Sequence, residues 1–153
     1  MKKYKKSLNG LVISKQKTEI PSAKIISSDD AYEYVKQFYG GDIDIYESMF
    51  LLLLNRANNT EGFVKISQGG IAGTVVDIKL IMFYAIQTLS SNIILVHNHP
   101  SGNTTPSKDD KDITEKIKQG GKLLDITLLD HLIISKDSYY SFADDGELNK
   151  TNK

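Results

Sequence analysis

Two histidines that lie one residue apart are the first sign of chemistry in this sequence. His97 and His99 follow the apolar run at residues 93–96, which is typical of a buried strand. Because side chains alternate along a strand, both imidazoles would lie on the same face. Asp110 falls in the first turn of a predicted helix that begins near Ser107. Two nitrogens and one carboxylate are a ligand set typical of catalytic zinc, whose fourth position is left to water.

The same residues also allow an interpretation without any metal. Ser107 and Asp110 have the spacing of a capping box, in which a serine at the N-cap and an acid at N3 close the first helical turn. Two histidines beside a loop can be ordinary polar surface. The order of strand end, Gly/Pro loop and helix start nevertheless favours the metal site, because these separate features agree.

The longer pattern around these residues resembles a known metalloprotease signature. His97-x-His99, seven residues, Ser107, two residues and Asp110 match the signature of the JAMM (MPN-plus) domains. The words His-Asn-His-Pro-Ser-Gly at residues 97–102 and Thr-Pro-Ser at residues 105–107 resemble the bacterial RadC branch of that family. The resemblance covers about residues 20–145. It implies a zinc-dependent hydrolase that cleaves a peptide or isopeptide amide.

The resemblance implies a role for each residue of the motif. His97, His99 and Asp110 would hold Zn²⁺, whose charge lowers the pKa of a bound water towards ~7. Ser107 would donate a hydrogen bond to the oxyanion of the tetrahedral intermediate. The same hydroxyl is also the predicted helix cap, and the sequence leaves open which of the two roles dominates.

Glu47 is a carboxylate within an apolar segment, a predicted strand over residues 43–54. The residues that share its face of that strand are Ile45, Met49, Leu51 and Leu53. A buried acid without a partner is costly, so Glu47 lies either near the sheet end or beside a compensating group. In JAMM domains a glutamate on an early strand is the general acid/base, and Glu47 is the acid in the matching place. The competing acids, Glu33 and Glu61, lie on a polar helix face and in a turn.

The composition excludes several other kinds of site. The 153-residue chain contains no cysteine, which excludes a disulfide framework, a thiolate zinc site and a cysteine nucleophile. It also excludes the zinc nucleobase deaminases, which need a Pro-Cys-x-x-Cys segment. The letters His-Asn-His are not an HNH nuclease motif, whose residues are spread over a longer stretch. The longest apolar stretches are about ten residues and no apolar signal core is present, so we expect a soluble cytoplasmic protein.

Charge is balanced over the whole chain. Lys and Arg number 19, as do Asp and Glu, so no net field attracts nucleic acid or membrane. Positive charge is concentrated only in a predicted tail at residues 1–18, which contains Lys2, Lys3, Lys5 and Lys6. Lysines at a chain terminus are usually solvated, so we expect at most a weak nucleic-acid contact there and no membrane binding.

The predicted elements form one domain over residues 19–148, followed by a polar tail at residues 149–153. Helices are predicted from Ser27 or Ser28 to Gly40-Gly41, from a capping box of Thr74 and Asp77 to about Leu89, and over residues 108–119 before Gly120-Gly121. Strands are predicted over residues 43–54, 63–67, 93–96, 123–129 and 139–142, and residues 132–134 are predicted to continue the strand over 123–129 or to pair with it. The stripe Ile78, Ile81, Met82, Ala85, Ile86 and Leu89 would face the core. This order predicts a three-layer α/β domain, a mixed β-sheet with helices on both sides. This architecture resembles the JAMM/cytidine-deaminase-like fold.

Two functions stay open from the sequence. The favoured one is a zinc metallohydrolase of the metallopeptidase or isopeptidase type. The alternative is a non-catalytic accessory module of DNA repair or of mobile elements, in which zinc serves folding alone. The complete His/His/Asp/Ser/Glu set argues against it, because a structural site gains nothing from an open fourth position. The third histidine, His131 of the pair Asp130-His131, is interpreted as structural or as lying behind the ligands, since the ligand count is met without it.

Overall fold

The fold is described from a computed structural model, for residue 10, residues 12–69 and residues 76–149. Within these residues one mixed sheet has the strand order β2-β1-β3-β4-β5. Its strands are β1 (Ser48–Leu54), β2 (Thr60–Gln68), β3 (Asn92–Asn98), β4 (Thr127–Ile134) and β5 (Tyr139–Ser141). The helices are α1 (Ser28–Val35), α2 (Ile78–Gln87) and α3 (Lys108–Leu123), with 3₁₀ turns at Lys36–Phe38 and Glu147–Asn149.

Both faces of the sheet are covered by helices. Ala31, Tyr32 and Val35 of α1 pack against one face. Ile81 of α2 and Ile117 of α3 pack against the other face. All seven residues of β1 are buried, as expected for a strand between two helical layers. Each fully buried aliphatic side chain contributes about 1.5–3 kcal/mol, so this double burial fixes the sheet that carries the site. The predicted three-layer α/β fold is confirmed.

The strand directions bring the motif to one edge of the sheet. β1 is antiparallel to both β2 and β3, so β2 and β3 run parallel, and α2 connects them as the predicted β-α-β crossover. β3 and β4 pair in parallel, with α3 as their crossover. The carboxyl end of β3 therefore leads directly into the loop that begins α3.

The prediction of a strand over residues 43–54 is wrong at its start. Residues 41–45 form a turn and β1 begins only at Ser48. The carbonyl oxygens of Ile43 and Tyr46 accept from the side chain of Asn98. Within the described residues, backbone bonding to the β2 side of the sheet begins only at Glu47, whose carbonyl oxygen accepts from the N–H of Gly69. The predicted alternation therefore fails at Ile45, which is 52% exposed. The next strand is longer than predicted, since β2 already begins at Thr60.

The prediction that Gly120-Gly121 ends the third helix is also wrong. α3 continues to Leu123, and the left-handed residue that follows is Asp125, with φ of 56°. Gly121 serves packing, because a Cβ at this position would collide with the carbonyl oxygen of Ile126. Residues 132–134 continue the preceding strand, as one of the two predicted alternatives, and this strand, β4, begins only at Thr127 and not at residue 123.

The start of α2 differs from its predicted capping box. Asp77 is the N-cap and accepts a hydrogen bond from the backbone N–H of Lys79 at 2.9 Å, so its assignment to N3 is wrong. The predicted cap Thr74 and the glycine-rich residues 70–73 lie outside the described residues. Ile81, Met82 and Ala85 are buried as predicted. Ile86 and Leu89 are 44% and 87% exposed, so the buried stripe is narrower than predicted.

Ser27, one of the two serines predicted to begin the first helix, is the N-cap of α1. The helical segment ends at Phe38, before Gly40, as predicted.

Residues 1–9 and 11 of the predicted basic tail, and residues 150–153, lie outside the described residues. No helix within residues 12–69 and 76–149 is both long and apolar enough to cross a membrane.

Candidate metal centre

The carboxyl end of β3 and the first turn of α3 bring the three predicted ligands together. His97 lies near the end of β3 and is fully buried, His99 follows the strand, and Asp110 lies in the first turn of α3. Nε2 of His97 is 2.9 Å from Nε2 of His99 and 3.1 Å from Oδ1 of Asp110. Nε2 of His99 is 3.7 Å from Oδ2 of Asp110. In the described part of the chain, this is the one group of three or more His, Cys, Asp or Glu side chains placed to hold a metal.

These distances fit a zinc ion. Nitrogen lone pairs and a carboxylate that face one another repel unless a cation or protons lie between them. With bonds of about 2.0–2.1 Å, the ligand atoms of a tetrahedral zinc ion lie roughly 3.3 Å apart. The separations of 2.9 Å between the two Nε2 atoms and 3.1 Å from Nε2 of His97 to Oδ1 of Asp110 lie close to that value, and all three ligand atoms lie within 4.8 Å of one another. The three side chains could therefore hold the ion without a large rearrangement.

The loop after β3 orients the imidazole of His99. Its Nδ1 lies 2.7 Å from the carbonyl oxygen of Asn103, which can only accept, so Nδ1 carries the proton. Nε2 then presents its lone pair to His97 and Asp110. Gly102, with φ of +80°, makes the turn that brings Asn103 back, and its N–H donates to the carbonyl oxygen of His99 at 3.0 Å. The loop therefore selects the tautomer in which His99 can bind a metal through Nε2.

Asp110 is held as a carboxylate. Burial opposes its charge, but hydrogen bonds with His97 and Ser107 outweigh that effect and hold the pKa of Asp110 well below its usual range. Oδ2 accepts from the backbone N–H of Ser107 at 2.7 Å and from its hydroxyl at 2.6 Å. Oδ1 faces His97. One carboxylate oxygen is thus anchored to the helix start while the other faces the predicted metal position.

Ser107 forms the predicted capping box. Its Oγ accepts from the backbone N–H of Asp110 at 3.1 Å, and its own N–H donates to the Asp110 side chain. The hydroxyl proton is directed at Oδ2 of Asp110. The cap is confirmed, and the role of Ser107 on a substrate oxyanion stays a prediction.

A cleft of about 240 Å³ contains both Glu47 and Asp110. The residues that line it are Glu47, Met49, Val76, Asp109, Asp110, Asp112, Ile113 and Lys116. Glu47 precedes β1 and is half-buried, and Met49 pairs with His97 across the sheet. Of the competing acids, Glu33 is exposed and bonded to Lys36, and Glu61 is exposed on β2. Glu47 is therefore the predicted acid that reaches the cleft beside the cluster.

Asn98, which the sequence analysis did not single out, holds the segment that carries Glu47. It is fully buried. Its Oδ1 accepts from the N–H of Ser48 at 2.8 Å, and its Nδ2 donates to the carbonyl oxygens of Ile43 at 2.6 Å and Tyr46 at 2.7 Å. A signal for it existed, because an amide at the end of a buried apolar strand must find polar partners.

His131 lies directly behind His97. Its Nε2 is 2.8 Å from Nδ1 of His97, and its Nδ1 is 2.6 Å from Oγ1 of Thr114. Its ring stacks on Phe142 at 4.9 Å. Burial lowers the pKa of His131 well below its usual value, so the ring is neutral. This position agrees with the interpretation of His131 as a residue behind the ligands.

Asp130 supports the backbone of His131 and not its ring. Oδ1 of Asp130 accepts from the N–H groups of His131 at 2.7 Å and Ala143 at 3.0 Å, and Oδ2 accepts from the Ser141 hydroxyl at 2.6 Å. A bulge in β4 shifts its register against β3 just before this point. An extra residue reverses which side chains face each layer, and here it directs His131 towards His97.

Comparison with known proteins places these residues in a family. Residues 25–147 match the family described as RadC-like JAB domain. A UPF0758 protein of Flavobacterium johnsoniae is 44% identical over 123 residues, which are 80% of this chain and 53% of that protein. A UPF0758 protein of Porphyromonas gingivalis is 45% identical over 103 residues, or 67% of this chain and 45% of that protein. A UPF0758 protein of Thermotoga maritima is 35% identical over 125 residues, which are 82% of this chain and 55% of that protein. The chain spans about half the length of these curated relatives.

Proposed function

This chain belongs to the RadC-like JAB domain family, and on that premise we propose that it is a zinc-dependent metallohydrolase that cleaves a peptide or isopeptide amide. The observation that carries the proposal is the convergence of His97, His99 and Asp110 beside a cleft that also contains Glu47. Hydrolysis of an amide needs an activated water, a base that moves its proton and a donor for the oxyanion. The site offers a residue for each of these tasks.

The cluster is suited to a catalytic ion. His97 and His99 would bind it through Nε2, and Asp110 through the carboxylate oxygen that faces His97. Zinc, when bound, supplies a Lewis acid that makes water nucleophilic near neutral pH. Three protein ligands are typical of catalytic zinc, whereas structural sites use four. The ligand count therefore supports the hydrolase over a module in which zinc serves folding alone.

Glu47 would move the proton. In this proposal its carboxylate accepts a proton from the attacking water as the new C–O bond forms. It then delivers that proton to the leaving nitrogen as the C–N bond breaks, so the products are a carboxylic acid and an amine. Its half-buried position on the same cleft as Asp110 supports this role.

Ser107 would stabilise the oxyanion. Its Oγ can keep accepting from the backbone N–H of Asp110 while its proton turns from Oδ2 of Asp110 to the substrate oxygen. The backbone N–H of Ser107 would continue to hold Asp110 during that change. Helix capping and oxyanion binding use different parts of one hydroxyl, so they are compatible in this proposal.

The test is the substitution Glu47→Gln, with Glu61→Gln as its control. Glutamine keeps the shape of glutamate but cannot accept the proton, so we expect hydrolysis to fall by about 10²–10⁴-fold while zinc content is unchanged. The assay measures cleavage of a panel of fluorogenic peptide amides and isopeptide-linked lysine peptides. Glu61 is exposed on β2, so its variant should behave like the wild type. Unchanged turnover in Glu47→Gln would remove this residue from the mechanism, and equal loss of zinc would make it a ligand.

A further inference from the structure

We propose that Thr114 and His131 form a hydrogen-bond relay that fixes the proton of His97 on Nδ1 and so leaves its Nε2 free to bind the metal. Both are positioning residues, because neither belongs to the ligand cluster. The inference rests on the proposed zinc site and adds two residues to it. It follows from donor and acceptor chemistry along a row of buried side chains.

The direction of the relay is set at Thr114. Its Oγ1 lies 2.5 Å from the backbone carbonyl oxygen of Asp110, which can only accept a hydrogen bond. A hydroxyl has one proton, so Thr114 donates that proton to the backbone carbonyl oxygen of Asp110. Oγ1 must therefore accept from the other atom that it touches, Nδ1 of His131 at 2.6 Å.

The relay then passes through His131 to His97. His131 is completely buried, where a charged imidazole would be costly, so it is neutral and has a single N–H. With that proton on Nδ1, Nε2 of His131 is an acceptor. Nδ1 of His97, 2.8 Å away, must donate to it. In its neutral form His97 therefore carries its one proton on Nδ1, which leaves the lone pair of Nε2, on the side of His99 and Asp110, for the metal.

The opposite direction would weaken metal binding. If His131 carried its proton on Nε2, that group would donate to Nδ1 of His97. His97 would then hold its own proton on Nε2, the nitrogen that faces the cluster. Nδ1 of His131 and Oγ1 of Thr114 would also face each other with lone pairs and without a proton between them, which is unfavourable for two buried polar atoms. Thr114 therefore decides which nitrogen of His97 faces the metal.

The relay also joins the three elements that build the site. Thr114 lies one turn after Asp110 in α3, His131 lies in β4 and His97 in β3. The β4 bulge and the backbone contact from Asp130 hold His131 in this position. Histidine ligands commonly donate their second N–H to a fixed acceptor, and loss of such a partner typically lowers metal affinity 10–100-fold. Here the acceptor is another imidazole, whose own tautomer is fixed by a threonine.

The first test compares Thr114→Val with Thr114→Ser. Valine keeps the shape and removes the hydroxyl, whereas serine keeps the hydroxyl. We expect zinc affinity, measured by competition with a chelating dye, to fall about 10–100-fold in Thr114→Val and to stay at the wild-type value in Thr114→Ser. Circular dichroism and thermal unfolding of both variants check that they fold. Wild-type affinity in a folded Thr114→Val protein would overturn the relay.

The second test reads the protons directly in the wild-type chain, so it does not depend on a variant that folds. Imidazole nitrogen NMR of ¹⁵N-labelled protein identifies which ring nitrogen is protonated. We expect His131 to be protonated on Nδ1 in both the metal-free and the zinc-loaded protein. We expect His97 to be protonated on Nδ1 when zinc is bound. His131 protonated on Nε2 would contradict the relay. A wild-type protein that binds no zinc would instead contradict the proposed function, so the two failures are distinguishable.

Discussion

A histidine binds a metal only through a nitrogen that carries no proton, and neighbouring groups decide which nitrogen that is. At His99 the decision is made by the carbonyl oxygen of Asn103, four residues away. At His97 we assign it to His131, which is 34 residues away in the sequence. The first contact is local and belongs to the loop that the motif predicts. The second depends on how β3 and β4 pair, so no spacing within the motif could reveal it.

The proposed ligand set was accessible from residue types and spacing. Two adjacent aspartates, Asp109 and Asp110, follow Ser107, and the capping-box spacing selects the second. The structure brings Asp110 together with both histidines, while Asp109 is exposed and lines only the cleft beside them. Asn98 and Thr114 were missed because their partners lie in other elements.

The paired substitutions Asp110→Ala and Asp109→Ala test this choice. We expect Asp110→Ala to lose bound zinc, since it removes one of three ligands, and Asp109→Ala to retain about one zinc per chain. Elemental analysis of proteins purified without a chelator gives the metal content. Full occupancy in Asp110→Ala together with loss in Asp109→Ala would show that the ligand is the neighbouring residue.

At the scale of elements, the order of helices and strands was predictable and several of their ends were not. Apolar runs and caps predicted β1, α2, β3 and α3, because these follow from local periodicity. The end of α3 was misplaced, since Gly121 is required by a close contact with Ile126 and not by a turn. The start of β1 was misplaced because the side chain of Asn98 satisfies the preceding backbone. The β4 bulge, which directs His131 into the site, also depends on pairing between strands.

The contacts of Asn98 predict a combined loss of stability and activity. Asn98→Ala leaves the N–H of Ser48 and the carbonyl oxygens of Ile43 and Tyr46 without that partner. A buried group without a hydrogen bond costs about 1–3 kcal/mol, so we expect urea unfolding to show a loss of at least about 2 kcal/mol. Hydrolysis should fall as well, because this segment carries Glu47.

Asn92→Ala is the matched control for that variant. Asn92 is half-buried at the opposite end of β3, and its Nδ2 donates to Asn55 and Asn58. This variant should lower stability and leave the hydrolysis rate of the folded protein unchanged. Equal effects of both substitutions on that rate would show that Asn98 does not position Glu47.

At the scale of the whole molecule, charge is the feature that separates the two functions. The formal net charge is zero, which predicts no general attraction to nucleic acid. The chain covers about half of its relatives' length, so we treat the substrates and partners of a longer protein as proposals. A role in DNA repair would require a nucleic-acid site on this domain or on further sequence.

Deletion of residues 1–6 tests whether the domain itself binds DNA. The lysines of this tail are the predicted source of weak binding, which should disappear at physiological salt because each phosphate contact gives a log–log salt slope of about −0.9. We expect the deletion to abolish binding of a labelled duplex at low salt and to leave zinc content unchanged. Sub-micromolar affinity at physiological salt that survives the deletion would favour the accessory-module alternative.

The most direct test of the central claim is zinc-edge X-ray absorption spectroscopy of the wild-type protein. A site formed by His97, His99 and Asp110 with one open position predicts nitrogen and oxygen neighbours at about 2.0–2.1 Å, of which two are imidazoles. The same spectrum of His131→Gln should keep two imidazoles, since we place His131 behind His97 and not on the ion. Three imidazoles in the wild type and two in His131→Gln would make His131 a ligand. That result would contradict the open catalytic site on which the proposed hydrolase depends.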